Sequence, residues 1–162
     1  MEISGGDIME KITPFLWFDK EAGEAAKFYT SVFKSSKIKE TRTLGKTPSG
    51  TVEIVTVELL GREFTLMSAG PFVKFNESIS FVVPCETQDE IDYYWEKLSA
   101  DPKAEQCGWL KDKYGVSWQI VPTILAQMQK DKDQKKVARV TDAFLKMKKF
   151  DIEKLKEAYS GN

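Results

Sequence analysis

Apolar and polar positions change period along the chain in an order that occurs twice. Residues 12–18, ITPFLWF, are rich in β-branched and aromatic side chains and read as a strand. Pro14 cannot donate to a ladder, so it places that strand at an edge or beside a bulge. Ala22, Ala25, Ala26, Tyr29, Val32 and Phe33 then recur at three and four residues, which predicts a helix over 22–33 with one buried stripe. Three strand-like runs follow at 38–44, 51–60 and 63–68, the first being the weakest. The step Leu60-Gly61-Arg62 is short enough for a hairpin. The order then begins again. Residues 78–84, SISFVVP, read as a strand, and Thr87 with Glu90 forms a capping box that opens a helix. That helix carries Ile91, Tyr94, Trp95 and Leu98 on one face, and Asp101-Pro102 closes it. Strands are expected over 105–110 and 116–121, joined by residues 111–115. After Pro122 the period becomes helical: a short helix over 123–130, another marked by Val137, Val140, Thr141, Phe144 and Leu145, and a last one capped by Asp151 with Ile152, Leu155 and Tyr159. Residue identity does not repeat between the halves, so any duplication lies in the order of elements.

Bulk properties narrow the class. The chain has 162 residues, 41% hydrophobic and 30% charged, as expected of one soluble domain over residues 1–162 and not of a disordered segment. No apolar run approaches the roughly 20 residues of a membrane helix. Residues 1–10 are expected to form a loosely held leader, with acidic residues and no apolar core of a signal peptide. Cys85 and Cys107 make neither a disulfide framework nor a C-x-x-C zinc pattern, which points to reduced thiols in the cytoplasm. A net charge of −1 offers no field to recruit nucleic acid. Lysines and arginines outnumber acids over 127–157, but the two signs alternate as on solvated helix faces.

One absence changes the chemistry most. The sequence contains no histidine. That removes the commonest metal ligand, the commonest general base, and any Ser-His or Cys-His nucleophile arrangement.

ITPFLWFDKEAGEAAKFYTSVF together with CGWLKDKYGVSWQIVP resembles the PhnB-like subgroup of the glyoxalase (vicinal oxygen chelate, bleomycin-resistance and dioxygenase) superfamily. Many members of that subgroup carry the domain name 3-demethylubiquinone-9 3-methyltransferase. The closing stretch AFLKMKKFDIEKLKEAY resembles the tail of the same subgroup, so the likeness runs from about residue 11 to 161. Its most specific part is D-x-x-G-x-x-W-Q, Asp112 to Gln119. The resemblance implies an α+β fold of two βαβββ modules, residues 11–70 and 76–122, forming a cupped mixed sheet, with a helical extension over 123–162. It also implies a small-molecule cavity between concave faces, and a homodimer. In metal-using relatives, His or Glu side chains from strands of both modules hold a divalent ion that polarises substrate oxygens.

Strand side chains alternate between faces, so the implied ligand positions can be tested one by one. In the first strand Thr13, Phe15 and Trp17 share one face, and Ile12, Pro14 and Leu16 the other. The resemblance places the metal-binding histidine on the Ile12/Pro14 face. In the strand opening the second half, Ile79, Phe81 and Val83 form the apolar set. Ser78, Ser80 and Val82 oppose them, with Ser78 where a histidine is expected. Gln119 stands where relatives place a ligating glutamate, and a neutral amide is a poor substitute for a carboxylate. The expectation is that the usual metal site is missing and that no cofactor is bound.

What remains on the presumed cavity face is neutral and polar: Ser78, Ser80, Ser117 and Gln119. Such a face suits small amphipathic or aromatic ligands. Gln119 either orients a ligand or pairs with Ser78 or backbone across the sheet. Trp109 either walls the cavity by stacking or belongs to the core. Cys107 shares the Trp109 face by period two; with no histidine and no cationic neighbour to activate it, an inert thiol is the better reading. Glu53 and Glu58 lie on opposite faces of their strand, each read as a solvated edge carboxylate. Asp112 is expected to hydrogen-bond the backbone of its own turn.

Two functions follow. The first is a small-molecule binding or sequestering protein, like the resistance-type members of the superfamily. The second is a metal-dependent lyase, isomerase or dioxygenase with a rearranged site of carboxylates and water. Methyl transfer, which the family name suggests, lacks sequence support: Gly45, Gly50, Gly61, Gly70, Gly108 and Gly115 each stand alone at turns, and no G-x-G follows a strand to cradle a nucleotide-like donor.

Overall fold

In the computed structural model, which describes residues 12–161, the expected element order resolves into two units that divide between Lys74 and Phe75. The leader over residues 1–10 lies outside the described residues.

The first unit runs β1 (Phe15–Phe18), α1 (Ala22–Val32), β2 (Lys37–Thr47), β3 (Gly50–Leu59) and β4 (Arg62–Ser68). Its sheet has the order β1-β4-β3-β2, with β1 parallel to β4 and the other neighbours antiparallel. α1 buries Ala22, Ala25, Ala26, Tyr29 and Val32, and its small alanines let the helix approach the sheet closely. Beneath it lie Leu16, Phe18, Val55, Val57, Phe64 and Leu66, all buried. Burial of each large member contributes about 1.5–3 kcal/mol. The first turn of α1 is anchored by the sheet, since the Ala22 N–H donates to Ser68 Oγ at 3.0 Å. β3 and β4 join through Leu60 (φ 50°) and Gly61 (φ 79°), a two-residue turn with both φ angles positive, the twist that matches a right-handed hairpin. β2 is the outer strand. It carries two register shifts and is exposed along nearly its whole length, which explains its weak sequence signal.

The second unit runs β5 (Phe81–Cys85), α2 (Gln88–Leu98), β6 (Trp109–Lys111) and β7 (Ser117–Pro122), then α3 (Thr123–Met128), α4 (Gln134–Phe144) and α5 (Ile152–Ser160). Its sheet order is β5-β7-β6, with β5 parallel and β6 antiparallel to β7. The result is the expected α+β class: two small mixed sheets and five α-helices among the described residues. The capping box of α2 forms as read, Thr87 Oγ1 accepting from the Glu90 N–H while Glu90 accepts from the Thr87 N–H.

Three expectations shift. The strand expected over 78–84 starts at Phe81, because Asn76 Oδ1 accepts from both the N–H and the hydroxyl of Ser78 and holds it in the preceding loop. Ile79 is consequently 71% exposed, and Cys85 takes its place in the apolar set under α2. The strand expected over 105–110 shortens to Trp109–Lys111, since Cys107 (φ 50°) and Gly108 (φ 81°) form a turn closed by hydrogen bonds between Gln106 and Trp109. Residues 99–108, where the first unit has its outer strand, instead hold a 3-10 turn at Pro102–Ala104. The second unit therefore has three strands among the described residues, against four in the first.

The helical extension is part of the second unit. Gln88 Nε2 donates to the Phe150 carbonyl at 3.0 Å, and its Oε1 accepts from the Ile152 N–H at 2.9 Å. The turn at Cys107 and Gly108 donates both of its N–H groups to the α4–α5 connection, at Met147 and Lys148. Arg139 ties α4 to the end of α5 through the Ala158 and Tyr159 carbonyls.

Candidate functional site

Each sheet has one face packed under its helix, and the alternate side chains lie on the opposite, open face. In the second unit the helix face is set by Phe81, Val83, Leu110, Trp118 and Ile120. Alternation then puts Val82, Trp109, Lys111, Ser117 and Gln119 on the open face. Gln119 lies opposite Trp109 on one side and Val82 on the other. Its Nε2 donates to Ser80 Oγ at 2.8 Å, which leaves its carbonyl oxygen without a partner among the described residues. The structure thus brings together Ser80, Trp109 and Gln119. Ser78 is not among them: it lies outside β5, held by Asn76.

The turn leading into β7 fixes this arrangement. Asp112 is buried, and its Oδ1 accepts from the Tyr114 and Val116 N–H groups at 2.9 and 3.0 Å. Its Oδ2 accepts from Trp118 Nε1 at 2.8 Å. The backbone role expected of Asp112 is present, and a core indole is bound as well. With Trp118 locked inward, Ser117 and Gln119 must face the other way.

A groove of about 640 Å³ runs beside β6, lined by Trp109, Lys111, Ser117, Glu77, Lys103 and Cys107 among others. Lys111 pairs with Glu77 at 3.0 Å, and the hydrogen bond from its ammonium holds the Glu77 carboxyl below the ordinary carboxylate range. The Cys107 thiol donates toward the Leu145 carbonyl at 3.8 Å and accepts from the Gln106 amide at 3.4 Å. Cys85 is buried under α2, and desolvation pushes its pKa up to about 12, so it stays a thiol at neutral pH.

In the first unit the faces fall opposite to the expected assignment. Leu16 and Phe18 pair in register with Leu66 and Ser68 under α1, so the Ile12/Pro14 parity belongs to the helix side. The face away from α1 carries Phe15 and Trp17 instead, with the buried Val52, Ile54 and Ala69 and the partly buried Met67 packed around Trp17. Trp17 Nε1 donates to the Gly70 carbonyl at 2.9 Å, and Phe72 meets its ring edge-on. This apolar surface was missed because both faces of FLWF are apolar, which leaves alternation with nothing to decide. Glu53 lies on the helix side with its carboxylate against Gly23 in the first turn of α1, where a helix dipole favours negative charge. Glu58 is on the open face, paired with Lys37 at 3.7 Å.

The 3-demethylubiquinone-9 3-methyltransferase family matches residues 10–121, more than half of the chain. The chain belongs to this PhnB-like family of the glyoxalase superfamily. A PhnB protein of Bacillus cereus that carries the same family name is 34% identical, with a TM-score of 0.59 over 70% of this chain and all of that one. Two more distant structures share the glyoxalase-like fold. The protein PA1353 of Pseudomonas aeruginosa is 17% identical, with a TM-score of 0.52 over 69% of this chain and 96% of its own. The fosfomycin resistance protein FosX of Listeria monocytogenes, solved with Mn(II) and a dihydroxypropylphosphonic acid, is 14% identical, with a TM-score of 0.55 over 75% of this chain and 98% of its own. No curated protein is significantly similar in sequence.

The metal implied for the PhnB-like fold can be tested against the donors present. Among the described residues no three His, Cys, Asp or Glu side chains converge on a point. Gln119 gives its amide to Ser80, Ser78 is held by Asn76, and Ile12 is 93% exposed. An amide, a hydroxyl and an apolar residue do not fit a transition-metal ion. Among the described residues no helix is long and apolar enough to cross a membrane.

Proposed function

We propose that this PhnB-like protein binds a small amphipathic or aromatic molecule on the open face of its second unit, without help from a bound metal. The observation that carries this reading is the neutral Gln119–Ser80 pair set beside Trp109 and the exposed Val82. A free amide carbonyl next to an aromatic wall and an aliphatic side chain is the composition of a site for an uncharged ligand. On that face Lys111 is paired with Glu77, which offsets its charge. Methyl transfer finds no support in the glycines, since those with positive φ stand singly at turns. Two free cysteines fit work in the reducing cytoplasm.

A thermal-shift screen of small aromatic and amphipathic compounds tests the reading. At a hundredfold excess over Kd a ligand adds about 2.7 kcal/mol, which should appear as a rise in Tm of roughly 5–10 °C. Gln119→Ala should cut that rise by at least half. Saturable binding of Zn²⁺, Ni²⁺, Mn²⁺ or Fe²⁺ below micromolar, lost on changing Glu53 or Gln119, would instead favour the metal-dependent lyase, isomerase or dioxygenase.

We also infer that the working unit is a homodimer. The superfamily resemblance supports it, as does β2, whose outer edge has no strand partner among the described residues. Sedimentation at micromolar concentration should give twice the chain mass of 18.4 kDa. A monomer mass would remove the dimer from the proposal.

A further inference from the structure

We propose that the groove beside β6 is a distinct subsite of the open face, which takes an uncharged planar molecule and hydrogen-bonds it through the hydroxyl of Ser117. This rests on reading that face as a small-molecule surface, and it moves the ligand from Gln119 to a floor two residues away.

The first observation is an orphan. Ser117 is 2% exposed, and its Oγ has no hydrogen-bond partner among the described residues. Buried hydroxyls nearly always find one, because leaving the group desolvated and unpaired costs free energy. Ser117 is among the residues that line the groove, and a turn about its χ1 would offer the buried hydroxyl to a group entering there. Gln119 differs in being only partly buried and in already bonding Ser80.

The second observation is the groove's charge. Its lining holds two carboxylates, Glu77 and Asp101, and two ammonium groups, Lys103 and Lys111. Glu77 is paired with Lys111, and Asp101 accepts the Lys103 backbone N–H at 3.0 Å. The sum is zero, which favours neither an anion nor a cation.

The third is shape. The groove follows the edge of β6 where residues 99–108 form no strand and hydrogen-bond β6 through Ala100 and Gln106, and Trp109 supplies an aromatic wall. An indole favours a flat partner through offset or edge contact. A planar ring system bearing one hydroxyl or carbonyl satisfies all three conditions.

The test uses 2-naphthol, which is uncharged at neutral pH, added to the ¹⁵N-labelled full chain. Amides of Lys103, Cys107 and Ser117 and the Trp109 indole should shift together and saturate. Ser117→Ala should weaken binding about three- to tenfold, the span of one neutral hydrogen bond. The same substitution should leave Tm unchanged or raise it, since it removes an unpaired hydroxyl and breaks no bond. Unaltered affinity in Ser117→Ala, or a Tm lowered by several degrees, would overturn the subsite, the latter because the hydroxyl would already be bonded. Perturbation confined to Ser80, Val82 and Gln119 would sink the groove while sparing the proposed function. Silence across the whole open face, from 2-naphthol and from every compound in the screen, would sink both.

Discussion

Replacing Gly108 with alanine should cost about 3 kcal/mol or more of stability, combining left-handed strain with overpacking. Gly108 sits at φ 81°, where an L side chain is strained whatever the space around it. There is also no space. A Cβ there would lie 2.3 Å from Phe150 Cε2 and 2.9 Å from the Ile120 carbonyl oxygen. The backbone cannot drift to relieve this, because the Gly108 N–H donates to Lys148 at 2.7 Å and its carbonyl accepts from Ile120 at 2.8 Å. Those two bonds join the helical extension and β7 to the turn that aims Trp109. In a domain of this size the loss should lower Tm by roughly 6–12 °C. The double variant Gly108→Ala with Phe150→Leu separates the causes: it should recover the part due to the ring and leave the part due to φ. A loss below about 1 kcal/mol in urea unfolding would show that the turn is not held as described.

Asp112→Ala should be of similar size, about 3–5 kcal/mol, for a different reason. The carboxylate accepts three N–H groups from within 6 residues, two of backbone and one of Trp118. Removing it strands those donors where Trp118 is 3% exposed and water has little access. Asp112→Asn is the informative comparison. Its oxygen can still serve Tyr114 and Val116, but its amide NH₂ would face the Trp118 N–H, donor against donor. It should cost about half as much as alanine, and the near-ultraviolet signal of Trp118 should change in both variants. Equal and small effects would mean that the turn holds itself without the side chain.

Both predictions concern the same short stretch, and they explain why the open face of the second unit has a definite layout. Asp112 pins Trp118 inward, so alternation sends Ser117 and Gln119 outward. Gly108 closes the turn before β6, so Trp109 arrives opposite Gln119. A ligand meeting Trp109 or Gln119 would therefore be reading the geometry of two turns.

Much of this was legible in the residues. The helical stripe of Ala22, Ala25, Ala26 and Tyr29, the capping box at Thr87 and Glu90, and the Asp112 turn are local patterns with local causes, and they appear where they were read. Period two put Ser80 and Gln119 on one face, and they bond to each other. The misses share a cause too. Ser78 and Ile79 look like strand residues until Asn76 captures Ser78, a competition between a side chain and a ladder that propensity does not weigh. Cys107 reads as a strand position, yet the α4–α5 connection, some forty residues away, holds its N–H in a turn.

The sequence by itself determined the class of fold, the order of elements, and the want of any imidazole, since composition and short-range periodicity need no knowledge of distant partners. Only the tertiary structure decided which apolar face of β1 turns toward α1, why the strand expected at 105–110 shortens, and that the hydroxyl of Ser117, in the lining of a groove, is buried without a partner among the described residues. Those outcomes depend on packing between segments far apart in the chain, where two local choices of nearly equal free energy are settled by whichever buries more apolar surface and leaves fewer polar groups unmatched.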